Sequence, residues 1–242
     1  MNDFVNAFKF MGNNLDLLLN KTVEHLELSG AAIAVALVIA LPIGLWLGHL
    51  HRGSFVAINA ANVGRALPSL AIIAIGLGIL GIGFINVMVA LVVLAVPPIL
   101  TNAYLGVDQV DRDTVSAAEG MGMRPRQVFT RVELPISLPL VFTGIRTSAV
   151  YVVATATLAA IAGGGGLGDI IVNQASYKLA GVIAAAIWVA VLALLVDAAF
   201  GLLQRAVTPR GLRRAAEVSD APPPDEGAAA PLVAGRPVPG IE

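Results

Sequence analysis

Few residues in this 242-residue chain have a type and setting suited to chemistry, and those few lie inside or beside long apolar runs. Arg65, Arg146 and Asp197 are charges embedded in such runs, where a charge is costly and usually serves a path or a partner. Asp197 can pair with Arg146 or with Arg65, which would lower the cost of both charges. Thr143, Thr147, Ser148, Thr155 and Thr157 accompany Arg146. Their hydroxyls either bond back to helix carbonyls or form a polar face toward a passage, and both readings stay open. Pro68 follows Arg65 in GRALPSLAI and interrupts the run. His25, His49 and His51 have no neighbouring carboxylate cluster, so His25 is expected at a surface and the other two in a wet loop. Gly163–Gly166, then Leu167, Gly168 and Asp169, superficially resemble a phosphate cradle. No strand precedes them and no Lys-Ser/Thr follows, so they are read instead as a helix break with a tight re-entrant or external loop. The chain has no cysteine, which excludes disulfides, thiol chemistry and cysteine-ligated zinc.

These residues need elements to hold them, and composition defines which. The chain is 57% hydrophobic and 13% charged, about half the charge of a soluble domain. Several runs exceed the roughly 18 apolar residues needed to cross a bilayer. The alternation of a β-barrel is missing, so an all-α polytopic membrane protein with about five transmembrane helices is expected. Net charge is −1, which implies no general attraction to nucleic acid. No cleavable signal peptide is expected, because the first apolar run is too long and too late.

In chain order, residues 1–28 read as an amphipathic segment, with Leu15, Leu18, Leu19, Val23 and Leu26 at helical spacing. The transmembrane domain is expected at 29–204. Its spans lie near 29–50, with Pro42 inside; 54–83, with Arg65 near the cytoplasmic end; 84–105, with Pro97-Pro98; 136–162; and 179–203. Gly76, Gly78, Gly81 and Gly83 suit close packing and a turn. Residues 205–242 turn polar and rich in Ala, Pro and acid, and are expected to form a disordered tail.

The stretch SAAEGMGMRPRQVFTRVELP, Ser116 to Pro135, is a polar, basic island between apolar runs. Asp113 is expected to cap a helix over 114–121, with Ala117, Ala118 and Met121 on one face. Gly122 stops it, Pro125 opens a second helix, and Leu134-Pro135 is expected to end that helix. Arg52, the arginines of 112–131 and those of 205–214 fall on one side of a five-span topology, and Lys9, Lys21 and Lys178 on the other. The arginine-rich side is therefore expected to be cytoplasmic, with the N-terminus outside and the C-terminus inside.

This island resembles the cytoplasmic coupling loop of ABC importer permeases, which reads Glu-Ala-Ala, three residues, Gly, nine residues, then Ile-x-Leu-Pro. Ala117, Ala118, Gly122, Val132, Leu134 and Pro135 fall in those places, and Ser116 stands where the family has Glu. HLELSG, ALPSLAI, RVELPISLPLVFTGIRT and TATLAAIAGGGGLGD extend the likeness in order, and they resemble in particular the permeases of osmoprotectant importers. The resemblance implies a type I, methionine-importer-like fold in the cytoplasmic membrane. It implies a coupling loop at 106–135 that uses Ser116, Ala117, Ala118, Glu119, Gly122, Arg124, Val132, Leu134 and Pro135. Arg65, Pro68, Arg146, Thr155, Thr157 and Asp197 become candidates for the pathway or its gate. The implied partners are an ABC ATP-binding subunit carrying ATP and magnesium, an extracytoplasmic substrate-binding protein, a second permease subunit of the same or a related kind, and the bilayer. No cofactor or metal is expected on this chain, and no enzymatic activity of its own. The implied cargo is glycine betaine, choline, carnitine or proline. The alternatives are an ABC permease for another small solute, such as an amino acid or sulfonate, or a secondary transporter without an ATPase. A membrane enzyme is a weaker reading, since no paired carboxylates or histidine–metal cluster is evident.

Overall fold

Small residues set the architecture. On helix α2 (Leu15–His49), Ala32, Ala36, Ala40, Gly44 and Gly48 recur every four residues and are all buried. They form a smooth stripe on one side of the helix, which lets a neighbour approach closely. That neighbour is α5 (Phe84–Asp108). A Cβ added at Gly44 would lie 2.7 Å from both Ala103 Cβ and the Leu100 carbonyl oxygen, and one at Gly48 would lie 2.8 Å from the Tyr104 oxygen.

The computed structural model describes residues 2–208, and the remainder of the expected tail lies outside them. Among the described residues every regular element is helical. A short α1 (Asn2–Asn13) precedes α2, and a bent pair follows it, α3 (Ser54–Ala66) and α4 (Ser69–Leu80). Next come α5, α6 (Arg112–Gly120), α7 (Pro125–Val128) and α8 (Leu134–Thr155), whose last turn tightens into a 3-10 segment, Ala156–Ala162. Then α9 (Gly168–Val172) leads into α10 (Gln174–Val207). Four helical stretches among the described residues are long and apolar enough to cross a membrane: α2, α5, the continuous run Pro125–Ala162, and α10. The α3–α4 pair makes a fifth if taken as one broken span, bent by 91°. Pro68 explains the bend, because it lacks an N–H and holds extended backbone at φ −67°, ψ 124°.

The core lies where α2, α5 and α8 meet. Leu28, Ala36, Leu91, Ile99, Ala149 and Val152 are buried there. Polar links tie the layers: the Ser148 hydroxyl donates to the Ala95 carbonyl at 2.9 Å, and the Thr101 hydroxyl to the Ala57 carbonyl at 3.1 Å. With no water in a bilayer core, such groups bond to the protein. Large apolar side chains on the outside, such as Val38, Ile79 and Leu194, remain exposed, as in a protein whose solvent is lipid.

The local structure differs from the sequence expectation in four places. First, the amphipathic segment and the first span are not separate, since α2 runs unbroken from Leu15. His25 is therefore fully buried rather than on the surface, on the same side of the helix as Leu28 and Ala32. Second, the cap of α6 is Asp111, not Asp113. Its carboxylate accepts from the Asp113 N–H at 3.1 Å and the Thr114 hydroxyl at 3.4 Å. Third, Leu134-Pro135 does not end a helix. A π-helical turn, Phe129–Glu133, joins α7 to α8, so the helix runs on through Pro135 in the first turn of α8. Fourth, His49 closes α2 and is partly buried against Glu133 rather than lying in a wet loop; His51 lies exposed in the turn after it, as expected, with Asp108 as its partner.

The α2–α5 packing is testable. Gly44→Ala should lower stability by about 1–3 kcal/mol through overpacking. Gly30→Ala, on the open side of the same helix with nothing within 4 Å of its Cβ, should raise it by up to about 1 kcal/mol through helix propensity. Thermal unfolding of both variants in detergent checks this; equal shifts would contradict the contact.

Candidate functional site: coupling loop and polar cleft

The loop between α5 and α8 caps its own helices. Helix α6 ends in a Schellman turn, in which the Gly122 N–H donates to the Glu119 carbonyl at 2.8 Å and the Met123 N–H to the Ala118 carbonyl at 3.2 Å. Gly122 has φ +83°, which an L side chain would strain. Helix α7 opens at Pro125, and Gln127 Oε1 accepts from the Arg124 N–H at 2.9 Å. Ser116, Ala117, Glu119, Arg124, Arg126 and Arg131 are exposed, while Ala118 and Val128 are buried beneath them. The two alanines therefore differ: Ala117 belongs to the outer surface and Ala118 to the inside of the loop. Val132, Leu134 and Pro135 are partly buried where the loop enters α8.

Both ends of the loop are fastened to the last turn of α2 and the residues after it. Glu133, with 2% of its side chain exposed, receives the His49 Nδ1–H at 2.6 Å. The His49 ring also packs on Phe129, with centroids 5.1 Å apart. On the other flank, His51 Nδ1 meets the Asp108 carboxylate at 3.2 Å. None of these four polar residues is one that the family-like motif fixes; Glu133 occupies its unspecified place between Val132 and Leu134. The signal that could have exposed them was an acid within an apolar flank, Val132-Glu133-Leu134, which demands a buried partner.

The charges inside the spans are brought together. Arg146 on α8 donates from Nε and a terminal nitrogen to the two Asp197 oxygens, each at 2.6 Å. Of the two partners open to Asp197, Arg146 is the one it meets in a bidentate fork, the geometry that suits Arg to carboxylates. The pair borders a cleft of about 550 Å³ with Thr143, Thr147, Tyr151 and Gln204. Gln204 Nε2 donates to the Pro139 carbonyl at 2.8 Å and to the Thr143 hydroxyl at 3.0 Å. Thr147 and Tyr151 also line a second cleft of about 610 Å³, shared with Gly64, Pro97, Pro98 and Thr101. Thr155, Thr157 and Pro68 do not line this cleft. Thr155 and Thr157 spend their hydroxyl protons on the Tyr151 and Ala154 carbonyls at 2.6 and 2.9 Å. Arg65 sits in the last turn of α3, and Pro68 caps α4.

At the opposite end of α2, Lys21 bridges Glu24 at 2.8 Å and Asp169 at 2.7 Å. Glu24 also accepts the Gly166 N–H at 3.0 Å. Gly166 has φ +81°, and a Cβ there would lie 3.1 Å from His25 Nδ1. His25 Nε2 bonds the Val153 carbonyl at 2.8 Å; a carbonyl only accepts, so this nitrogen carries the proton. The glycine run is thus a turn clamped to α2, with no phosphate-binding geometry around it. Among the described residues no group of His, Asp or Glu could hold a metal.

The chain thus combines a self-capped helical loop, a bundle of long apolar helices and a cleft bordered by a paired charge. Residues 26–209 match the family model described as binding-protein-dependent transport system inner membrane component, and the chain belongs to that family. It is a multi-pass inner-membrane permease subunit of an ABC transporter. It is 38% identical over 211 residues to the glycine betaine/carnitine/choline transport system permease protein OpuCB of Bacillus subtilis (strain 168), covering 87% of this chain and 97% of that one. It is 37% identical to the choline transport system permease protein OpuBB of the same strain, covering 87% and 98%. It is 38% identical to the carnitine transport permease protein OpuCB of Listeria monocytogenes, covering 90% and 99%. The fold is similar to that of the inward-facing MetNI methionine ABC transporter, with a TM-score of 0.66 at 24% identity over 81% of this chain and 98% of that one.

Reversing either charge of the cleft pair should reduce transport and membrane abundance, because the remaining charge faces a like one. The double swap Arg146→Asp with Asp197→Arg should recover part of both. Uptake normalised to immunoblotted protein measures this; a double variant no better than either single one would remove the functional weight from the pair.

Proposed function

We propose that this chain is the permease subunit of an ATP-driven importer of osmoprotectants such as glycine betaine, choline, carnitine or proline. What carries the reading is that its likeness to permeases for glycine betaine, carnitine and choline runs through nearly the whole of each of them. A separate ATP-binding subunit supplies hydrolysis and docks on the exposed face of the coupling loop, at Ser116, Ala117, Glu119 and Arg124. An external binding protein delivers the solute, and a second permease completes the pathway. The N-terminus lies outside and the loop inside, in keeping with the arginine bias.

The physical logic favours recognition by the binding protein rather than by the permease. A quaternary ammonium ion is held well by several aromatic faces at once. Aromatic residues make up 5% of this chain, and Tyr151 is the one aromatic residue among those lining the two clefts. The clefts therefore suit low-affinity passage, with hydroxyl and amide groups replacing water. The Arg146–Asp197 pair keeps the wall neutral to a cation or zwitterion.

Docking requires a surface without gaps, since a loop conveys only the energy that differs between two states. Ala117→Trp should abolish uptake while leaving the permease at normal levels in the membrane, because Ala117 faces outward. Ala118→Trp should instead lower the amount of folded protein, because Ala118 is buried. Proteoliposomes holding the permease, its ATPase and the binding protein should accumulate labelled choline, betaine, carnitine or proline only with ATP. Uptake of methionine or a sulfonate alone would overturn the solute class, and uptake without any ATPase would overturn the coupling.

A further inference from the structure

Helix α2 is 35 residues long, about 52 Å at 1.5 Å per residue. Its two ends grip two different loops. At one end, His49 holds Glu133 and His51 holds Asp108, at the two roots of the coupling loop. At the other, Lys21 and Glu24 hold Asp169 and the Gly166 N–H, and His25 packs against Gly166. Between these ends, the Ala32–Gly48 stripe lies flush on α5.

We propose that α2 is a transmission strut: displacement of the coupling loop is passed through the His49–Glu133 and His51–Asp108 contacts to α2, and from its far end to the Gly163–Gly166 turn. This rests on the ATP-coupled reading above and gives positioning roles to residues that the family-like motif leaves unspecified.

Three features make the strut mechanical rather than merely adjacent. The Glu133 carboxylate is 2% exposed, so it cannot let go of His49 without leaving a buried charge unpaired. Closely packed interfaces like that at Gly44 and Gly48 shift between discrete arrangements rather than deforming gradually. The far end is held by two separate bonds from α2, Glu24 to the Gly166 N–H and Lys21 to Asp169, so a shift of α2 acts on both. Pro42 removes only the bond to the Val38 carbonyl, and the helix passes through it unbroken.

The permease has no cysteine, so one introduced cysteine carries one label. The complete complex would be assembled from permease labelled with an environment-sensitive fluorophore at Leu50→Cys, on the loop side, or Val172→Cys, beyond the glycine turn. Both positions are exposed. Trapping ATP on the ATPase should change the signal at both sites. Glu24→Ala removes both bonds of a half-exposed carboxylate without endangering the fold; it should preserve the Leu50 response and shrink the Val172 response. Glu133→Leu with His49→Leu, an apolar pair that cannot hydrogen-bond, should shrink both. The loss should correspond to a fall of about 5- to 150-fold in the ATP-driven shift of the turn's equilibrium, the usual range for coupled sites. A Val172 response of wild-type size in both variants would overturn the strut. Failure of the unmodified complex to bind an ATPase subunit would overturn the underlying reading, and this one with it.

Discussion

A carboxylate buried beside a membrane-spanning helix needs a partner, and much of this structure follows from how Glu133 finds one. His49 supplies the bond at 2.6 Å from the last turn of α2. Breaking one side of a buried pair costs far more than the pair contributes, so the contact acts as a constraint rather than as a gain in stability. It fixes the exit of the α5–α8 loop to the first long helix. The π turn at Phe129–Glu133 is compatible with this, because it joins α7 to α8 and the helix runs on through Pro135.

The same rule governs the charges deeper in the bundle. Lipid offers no water, so polar groups pair with each other or line a wet cleft. Arg146 and Asp197 do both: they bond in a bidentate fork and face a cleft shared with Thr143 and Gln204. Each is more than a third exposed, so their mutual attraction is partly screened.

Long apolar runs, the bend at Pro68, the loop motif and the glycine turn were all legible in the sequence, because each follows from local chemistry: hydropathy, a missing N–H, or a residue suited to positive φ. The tertiary contacts were harder to read. His25 looked like a surface residue because its helix was split at Leu28, whereas α2 continues and buries it against Val153. His49 and Glu133 are 84 positions apart, and no periodicity links them. The alanine–glycine stripe from Ala32 to Gly48 was visible at a spacing of four. Against an apolar background, however, small residues are easily taken for filler, and what singles them out is the closeness of α5. Ala117 and Ala118 are neighbours in the motif, yet only the turn at Gly122 shows which one faces out.

The central claim is that the self-capped loop lies on the cytosolic side, where an ATPase can reach it. Met121, exposed at the end of α6, is the place to test it. A membrane-impermeant maleimide should label Met121→Cys in inside-out vesicles and leave it untouched in intact cells. Labelling in intact cells would put the loop outside and contradict the claim.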